Sequence, residues 1–283
     1  MRRRLAVLLL VLAWAAPARA ATRPDYSGYQ KLLDDYLHVV SKPGDAIETR
    51  FDYIALDAQP GYPERMGRIR RAMQDVDVDS LSAKERMAWA INVYNFRAIE
   101  LVINDLRDPR SHKVIPSVRE IGNFHAIGYF DQPGLRVRDS SYTLNTFERK
   151  YLFYGFSRAE GAQPPKELDP RAHFAIVCAS VGCPPLMPRA YRADSLDYQL
   201  AMSVRNALSS PRHLQWLPAT KRLLTSQIFR WYQRDFEPDG PIAFIKSYAP
   251  PPILDAMIAA DVKAIDQDIP WDWSLNRYVP GAQ

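Results

Sequence analysis

Residues 172–188 read Ala172-His-Phe-Ala-Ile-Val-Cys178-Ala-Ser-Val-Gly-Cys183-Pro-Pro-Leu-Met-Pro188 and hold both cysteines of the chain and one of its five histidines. The run Ala172 to Cys178 is short, apolar and bounded by turn-forming residues, the pattern of a buried strand. Alternation in a strand sets His173, Ala175 and Val177 on one face and Phe174, Ile176 and Cys178 on the other. Five steps of extended chain span roughly 16 Å, which speaks against a His173 to Cys178 pair within a regular strand. Cys183 differs, because Ser180-Val181-Gly182 can turn the chain and Pro184 can open a helical turn. A thiol beside such a backbone N-terminus ionises more readily, so Cys183 is the candidate nucleophile and His173 the candidate base.

Three other accounts of the same residues stay open. Cys178 and Cys183 can close a tight disulfide loop, can be buried small hydrophobes, or can join His173 around a metal. The last leaves tetrahedral zinc one ligand short and matches no strong zinc spacing, so neither a metal nor a cofactor is expected. A redox pair would also lack the Cys-x-x-Cys spacing of thioredoxin-like proteins.

Working outward, the clearest helix signal is Ser82-Ala83-Lys84-Glu85 before MAWAINVYNFRAIELVI, a capping box that predicts a helix over Ala83 to Asn104. Its apolar stripe through Ala88, Ile91, Ala98 and Val102 also carries Asn92 and Asn95. Asparagine is costly on a buried face unless its amide is satisfied. These two amides either tie a neighbouring loop or line the site, orienting the base or stabilising an oxyanion. Asn145-Thr146-Phe147-Glu148 predicts a second capped helix to about Tyr154, with Glu148 as its capping partner and only a possible supporting role in chemistry.

Further helices are expected over Tyr26–Val40, Pro63–Gln74, from Ser195, from Ser226 through Phe236, over Ile242–Tyr248 and over Ile253–Ala260. Extended segments are expected at Arg50–Leu56, Lys113–Ile115, Ala126–Phe130, Leu135–Val137 and Arg222–Leu224. Asp235, near the end of its helix, needs a compensating donor: Arg230, Arg234, or a histidine that it would orient. His112 and His125 sit without ligand-like spacing. The fold class that follows is a helix-rich α+β domain with a small sheet carrying the His/Cys run.

Arg2-Arg3-Arg4, an apolar Leu5–Ala16 and Ala18-Arg19-Ala20 have the form of a secretory signal peptide cleaved after Ala20, leaving 21–283 as one domain. The formal charge of +5 then falls to +1, because four arginines leave and 33 basic residues remain against 32 acidic. With no basic tract, zinc-finger spacing or glycine-rich phosphate loop, nucleic-acid and nucleotide binding lose support. No apolar run of the mature chain approaches the ~20 residues of a membrane span. A hydrophobic content of 47% is ample for a packed core.

Five blocks of the chain resemble the bacterial branch of the domain-of-unknown-function family 547: LSAKERMAWAINVYN at Leu81–Asn95, LNTFE at Leu144–Glu148, DPRAHFAIVCASVGCPPL at Asp169–Leu186, IFRWYQRDF at Ile228–Phe236 and IPWDWSLN at Ile269–Asn276. The resemblance implies an exported protein and places Asn92, Asn95, His173, Cys178, Cys183 and Asp235 in the family's motif blocks. It brings no established reaction. Phe147-Glu148-Arg149 departs from the Ile-Glu-His or Ile-Glu-Asn usual there, so Arg149 inherits no role. From the residues, the expected activity is thiol-dependent acyl transfer or hydrolysis of an amide or thioester in the periplasm, with Cys183 attacking, His173 taking its proton, Asn92 or Asn95 assisting, and Cys178, Glu148 and Asp235 in support. The alternative is a non-enzymatic periplasmic binding or assembly protein stapled by a Cys178–Cys183 disulfide. The partner is accordingly a substrate or a periplasmic protein that the residues do not name.

Overall fold

The computed structural model describes residues 23–41, 46–122, 128–153 and 168–281. The leader expected over 1–20, His125, the start of the extended segment expected at Ala126 and the helix end expected at Tyr154 lie outside these residues. Among the described residues the chain forms nine α-helices and seven short strands, a helix-rich α+β fold.

The fold is assembled around α4, Ala83–Asn104. The capping box closes as expected: the Ser82 hydroxyl accepts from the Glu85 N–H, and the Glu85 carboxylate accepts from the Ser82 N–H at 2.9 Å. Every residue from Met87 to Ile103 is buried, far more than one apolar stripe. The helix therefore runs through the interior instead of over the surface. Its two buried charges are compensated: Arg70 Nε donates to Glu100 at 2.8 Å, and Arg97 donates to the Pro133 carbonyl at 2.8 Å. Against α4 pack α1 (Ser27–Tyr36) and α3 (Tyr62–Gln74), the latter pinned where the Trp89 indole N–H donates to the Met73 carbonyl at 2.7 Å.

Some boundaries differ from expectation. The first helix stops at Tyr36, and the β-branched residues that follow enter β1 (Leu37–Ser41), antiparallel to β2 (Glu48–Phe51). The extended segment expected through Leu56 ends at Phe51, because the Asp52 carboxylate accepts from the Ala55 N–H at 2.9 Å and caps α2, Tyr53–Asp57. Val114 makes only an isolated bridge to Arg107, and Tyr129–Asp131 is a 3-10 turn. β3 (Leu135–Val137) and β4 (Ser140–Tyr142) form a hairpin leading to α5, Leu144–Phe147.

Helices α1, α3, α4 and α5 enclose the larger hydrophobic core. A second core lies among α6 (Leu196–Leu208), α7 (Ile228–Trp231), α8 (Gly240–Tyr248), α9 (Pro251–Ala259) and the three-stranded sheet of β5 (Leu214–Leu217), β6 (Arg222–Ser226) and β7 (Asp266–Ile269). Strand β6 pairs antiparallel with β5 and parallel with β7. The run from Ala172 lies between the two cores, with Ala172 and Ala175 in the first and Phe174 in the second.

That run is not a strand and no sheet carries it, which corrects the sequence expectation. Asp169 caps a 3-10 turn over Pro170–Phe174, and residues 176–178 belong to no regular element. The backbone there is satisfied by a side chain: the Asn95 amide donates to the Ala175 carbonyl and accepts from the Val177 N–H, both at 2.9 Å. One asparagine thus replaces the neighbouring strand that a buried extended run would otherwise need. The 16 Å separation argued for an extended chain does not apply. The C-terminal residues then cross the molecule, with Leu275 bridging Ser180, Ser274 bridging Ser117 and Arg277 bridging Phe51.

Candidate functional site

At the seam between the cores, α4, the turn after α5, the His/Cys run, α7 and the C-terminal tail enclose a cavity of about 230 Å³. Its wall includes His173, Cys178, Cys183 and Glu148 together with Tyr94, Tyr232, Phe130 and three tryptophans, Trp231, Trp271 and Trp273.

His173 is fixed on three sides. Its Nε2 lies 2.8 Å from Asp235 Oδ2, and its ring stacks between Phe153 at 4.0 Å and Tyr232 at 3.8 Å. Asp235 sits in a 3-10 turn, Gln233–Phe236, immediately after α7, and both partners are buried. Of the two partners open to Asp235 in the sequence, an arginine or a histidine, the carboxylate meets the histidine. A carboxylate so placed fixes the tautomer and orientation of an imidazole.

The two sulfurs stand 2.7 Å apart as free thiols, at 7% and 6% exposure. A left-handed Ala179, φ +61°, turns the chain between them. Gly182 fits where no side chain could: a Cβ there would come within 2.9 Å of both the Asp272 backbone nitrogen and the Trp271 ring. No helical turn follows Pro184, so the donors to Cys183 are not those expected. Instead the Cys178 N–H donates to Cys183 Sγ at 3.0 Å, and the Ser180 hydroxyl lies 3.6 Å away, itself accepting from the Trp271 indole N–H at 3.0 Å. Burial opposes ionisation of both thiols. At Cys183 the Cys178 thiol, the Cys178 N–H and Ser180 outweigh it and hold the pKa below the usual thiol value. At Cys178 burial dominates, and the thiolate on Cys183 adds to it, so this thiol keeps its proton well above the ordinary range.

Glu148 is not a capping residue. Thr143 is the N-cap of α5 and Thr146 its reciprocal partner, while Glu148 begins a π-helical turn, Glu148–Leu152, that swings its carboxyl into the cavity wall. The Tyr232 hydroxyl donates to it at 2.9 Å. Burial raises its pKa to about 7, against the opposing pull of hydrogen bonds from Tyr232 and Tyr94.

Asn92 and Asn95 are fully buried and outside the cavity wall. Asn92 donates to the Tyr191 carbonyl and accepts from the Tyr191 N–H, each at 2.8 Å, just as Asn95 holds Ala175 and Val177. Both therefore hold loops, the first of the two roles that the sequence left open.

One residue that the sequence reading passed over is His213, fully buried in the turn before β5. Its ring lies edge-on to Trp271 at 6.4 Å and interacts with the Cys183 backbone. Burial, helped by neighbouring Arg212, drives its pKa down to about 4. The surrounding Pro211-Arg212-His213-Leu214 carries no periodicity or spacing that marks it.

Among the described residues no three His, Cys, Asp or Glu side chains are grouped closely enough to hold a metal ion. Nor is any helix among them long and apolar enough to cross a membrane.

Residues 78–206 match the family model described as protein of unknown function, DUF547. Over that stretch the chain is similar to this family. No curated protein and no solved structure matches the chain. The matched stretch supplies Tyr94, Glu148, His173, Cys178 and Cys183, while Tyr232, Asp235 and the three tryptophans come from beyond it. The cavity is therefore completed by sequence outside the matched stretch.

Proposed function

We propose that the cavity is a thiol-dependent acyl-transfer site acting on an amide or thioester, and that the protein works in the periplasm once residues 1–20 are removed. The observation that carries this reading is the shared cavity wall of Cys183 and His173, with Asp235 bound behind the imidazole and donors arrayed on the Cys183 sulfur. Cys183 Sγ attacks the acyl carbon and its proton passes to His173. Because Nε2 is engaged with Asp235, Nδ1 handles that proton. The C–N or C–S bond then breaks, and the leaving amine or thiol takes the proton from His173. Water, or a second acceptor, attacks the resulting thioester and releases Cys183. Cys178 keeps its own proton and donates toward the Cys183 thiolate. The asparagines act at one remove, by holding the loops on which these groups sit.

The test is alkylation of the folded, reduced protein by iodoacetamide across pH, with each label located by mass. Cys183 should react first, with a pKa below about 8.5, the value for a free thiol. Asp235→Ala should move that profile while the melting temperature of the Cys178→Ser control stays near wild type. Equal labelling of the two thiols, or none at Cys183 up to pH 9, rejects the nucleophile.

The 2.7 Å approach of the sulfurs favours a second reading, a binding or assembly protein whose cysteines oxidise to a staple. Protein isolated without reductant then takes no label until it is reduced, and Cys178→Ser and Cys183→Ser lose stability equally.

A further inference from the structure

Apart from the thiols and His173, the cavity wall is dominated by aromatic rings and one carboxyl group. Trp231, Trp271 and Trp273 form a triangle with ring centroids 4.8, 5.8 and 6.1 Å apart. The triangle opens to solvent at Trp231, which is 47% exposed. Tyr94 and Tyr232 continue the wall to Glu148, and both are hydrogen-bonded to its carboxylate. Among the described residues no lysine or arginine forms an ion pair with Glu148, although its neighbour Arg149 exerts a weak pull.

A buried carboxyl among aromatic rings with no cation beside it keeps its proton, because burial of an unpaired charge is costly and an apolar ligand would desolvate it further. A ligand with a fixed positive charge resolves both features, since the ring faces attract a cation and the carboxylate neutralises it. The Arg119 guanidinium already lies over the Trp273 ring at 4.7 Å, so that ring is used in this way elsewhere in the fold.

We infer that the cavity binds a substituted ammonium group, seated against the cavity face of the packed Trp231, Trp271 and Trp273 rings and neutralised by Glu148. The ring wall and Glu148 form the site whether or not Cys183 reacts. That the ammonium belongs to the acyl donor or acceptor rests on the acyl-transfer reading above. Binding requires an ionised Glu148, and the groups that face it are Tyr94 from α4, Tyr232 after α7, Arg149 beside it, and His173, Cys178 and Cys183 across the cavity. Its raised pKa means that ammonium binding near pH 6 expels a proton, whereas a neutral ligand expels none.

The experiment compares choline with 3,3-dimethylbutan-1-ol, its neutral isostere, by tryptophan fluorescence and by calorimetry in buffers of different ionisation enthalpy. The full chain is used. Choline should bind at least roughly tenfold more tightly, with proton release at pH 6, and Glu148→Gln should reduce the preference to about twofold or less. The alkylation test reads the thiols and this one reads Glu148 and the ring wall, so failure of the thiol chemistry leaves this result unaffected. Equal affinity for the two ligands, tighter binding of the neutral one, no binding of either, or choline binding without proton release each overturns the inference. Because proton release is read on the wild type, the test stands even if Glu148→Gln folds poorly.

Discussion

Replacing Asn95 with alanine removes the side chain that satisfies Ala175 and Val177 in the buried run leading to the cysteines. Two backbone groups lose their partner at once: the Ala175 carbonyl and the Val177 N–H, each bonded at 2.9 Å and each in a residue no more than 5% exposed. A buried polar group left unpaired costs about 1–3 kcal/mol, so the pair costs about 2–6 kcal/mol, a large share of the ~5–15 kcal/mol that holds a typical domain together. Urea unfolding followed by far-ultraviolet circular dichroism, with reductant present, should show this as a lower midpoint at unchanged slope. Asn92→Ala is the matched control, because it strands the Tyr191 carbonyl and N–H in the same way. Its loss of stability should be similar, but only Asn95→Ala should loosen residues 175–178 and speed alkylation of the folded protein. A stability loss under about 1 kcal/mol in Asn95→Ala, with Cys183 reactivity abolished, would refute the structural role and return Asn95 to the chemistry.

Glu148 and His213 should shape the pH dependence of stability in opposite directions. The native Glu148 carboxyl keeps its proton to about pH 7 whereas the unfolded chain loses it near 4.5, so stability falls as pH rises through that window, by up to about 3 kcal/mol. Native His213 stays neutral down to about pH 4 whereas the unfolded imidazole protonates near 6.5, so stability falls as pH drops between those values. The windows overlap between about pH 4.5 and 6.5, where the two effects oppose. In urea midpoints measured from pH 4 to 8, Glu148→Gln should therefore leave stability rising more steeply with pH than in wild type, and His213→Gln should leave it falling more steeply; profiles that superpose on wild type contradict both assignments. Gly182→Ala forces a methyl into the Asp272 backbone and the Trp271 ring. It should cost about 1–3 kcal/mol and shift tryptophan emission to the red as Trp271 lifts away, and an unaltered spectrum counts against the close packing.

The sequence showed the α4 capping box plainly, because Ser82 and Glu85 act within one turn and need nothing distant. It also narrowed Asp235 to two kinds of partner, but which of them it meets depends on a residue 62 positions away. The run before Cys178 read as a strand because burial and apolar character are common to strands and to buried irregular chain. What separates them is the source of the backbone hydrogen bonds, here a side chain on α4. Glu148 was misjudged because two capping patterns overlap by two residues, Thr143 with Thr146 and Asn145 with Glu148, and only the first forms. His213 left no local trace, since its burial comes from contacts such as that with Trp271, far along the chain.

The tail that bridges Phe51, Ser117 and Ser180 sets an order of events for a newly made molecule. The thiols, the imidazole and the glutamate all leave the ribosome well before Trp271 and Trp273, so a nascent chain carries its sulfurs uncovered for as long as the last stretch takes to arrive. Wrong pairing with other thiols is open to it in that interval and closes when the tail docks. Pulse-labelled chains trapped with a thiol reagent should therefore lose reactivity at Cys178 on the timescale of tail docking, and chains ending before residue 266 should never lose it.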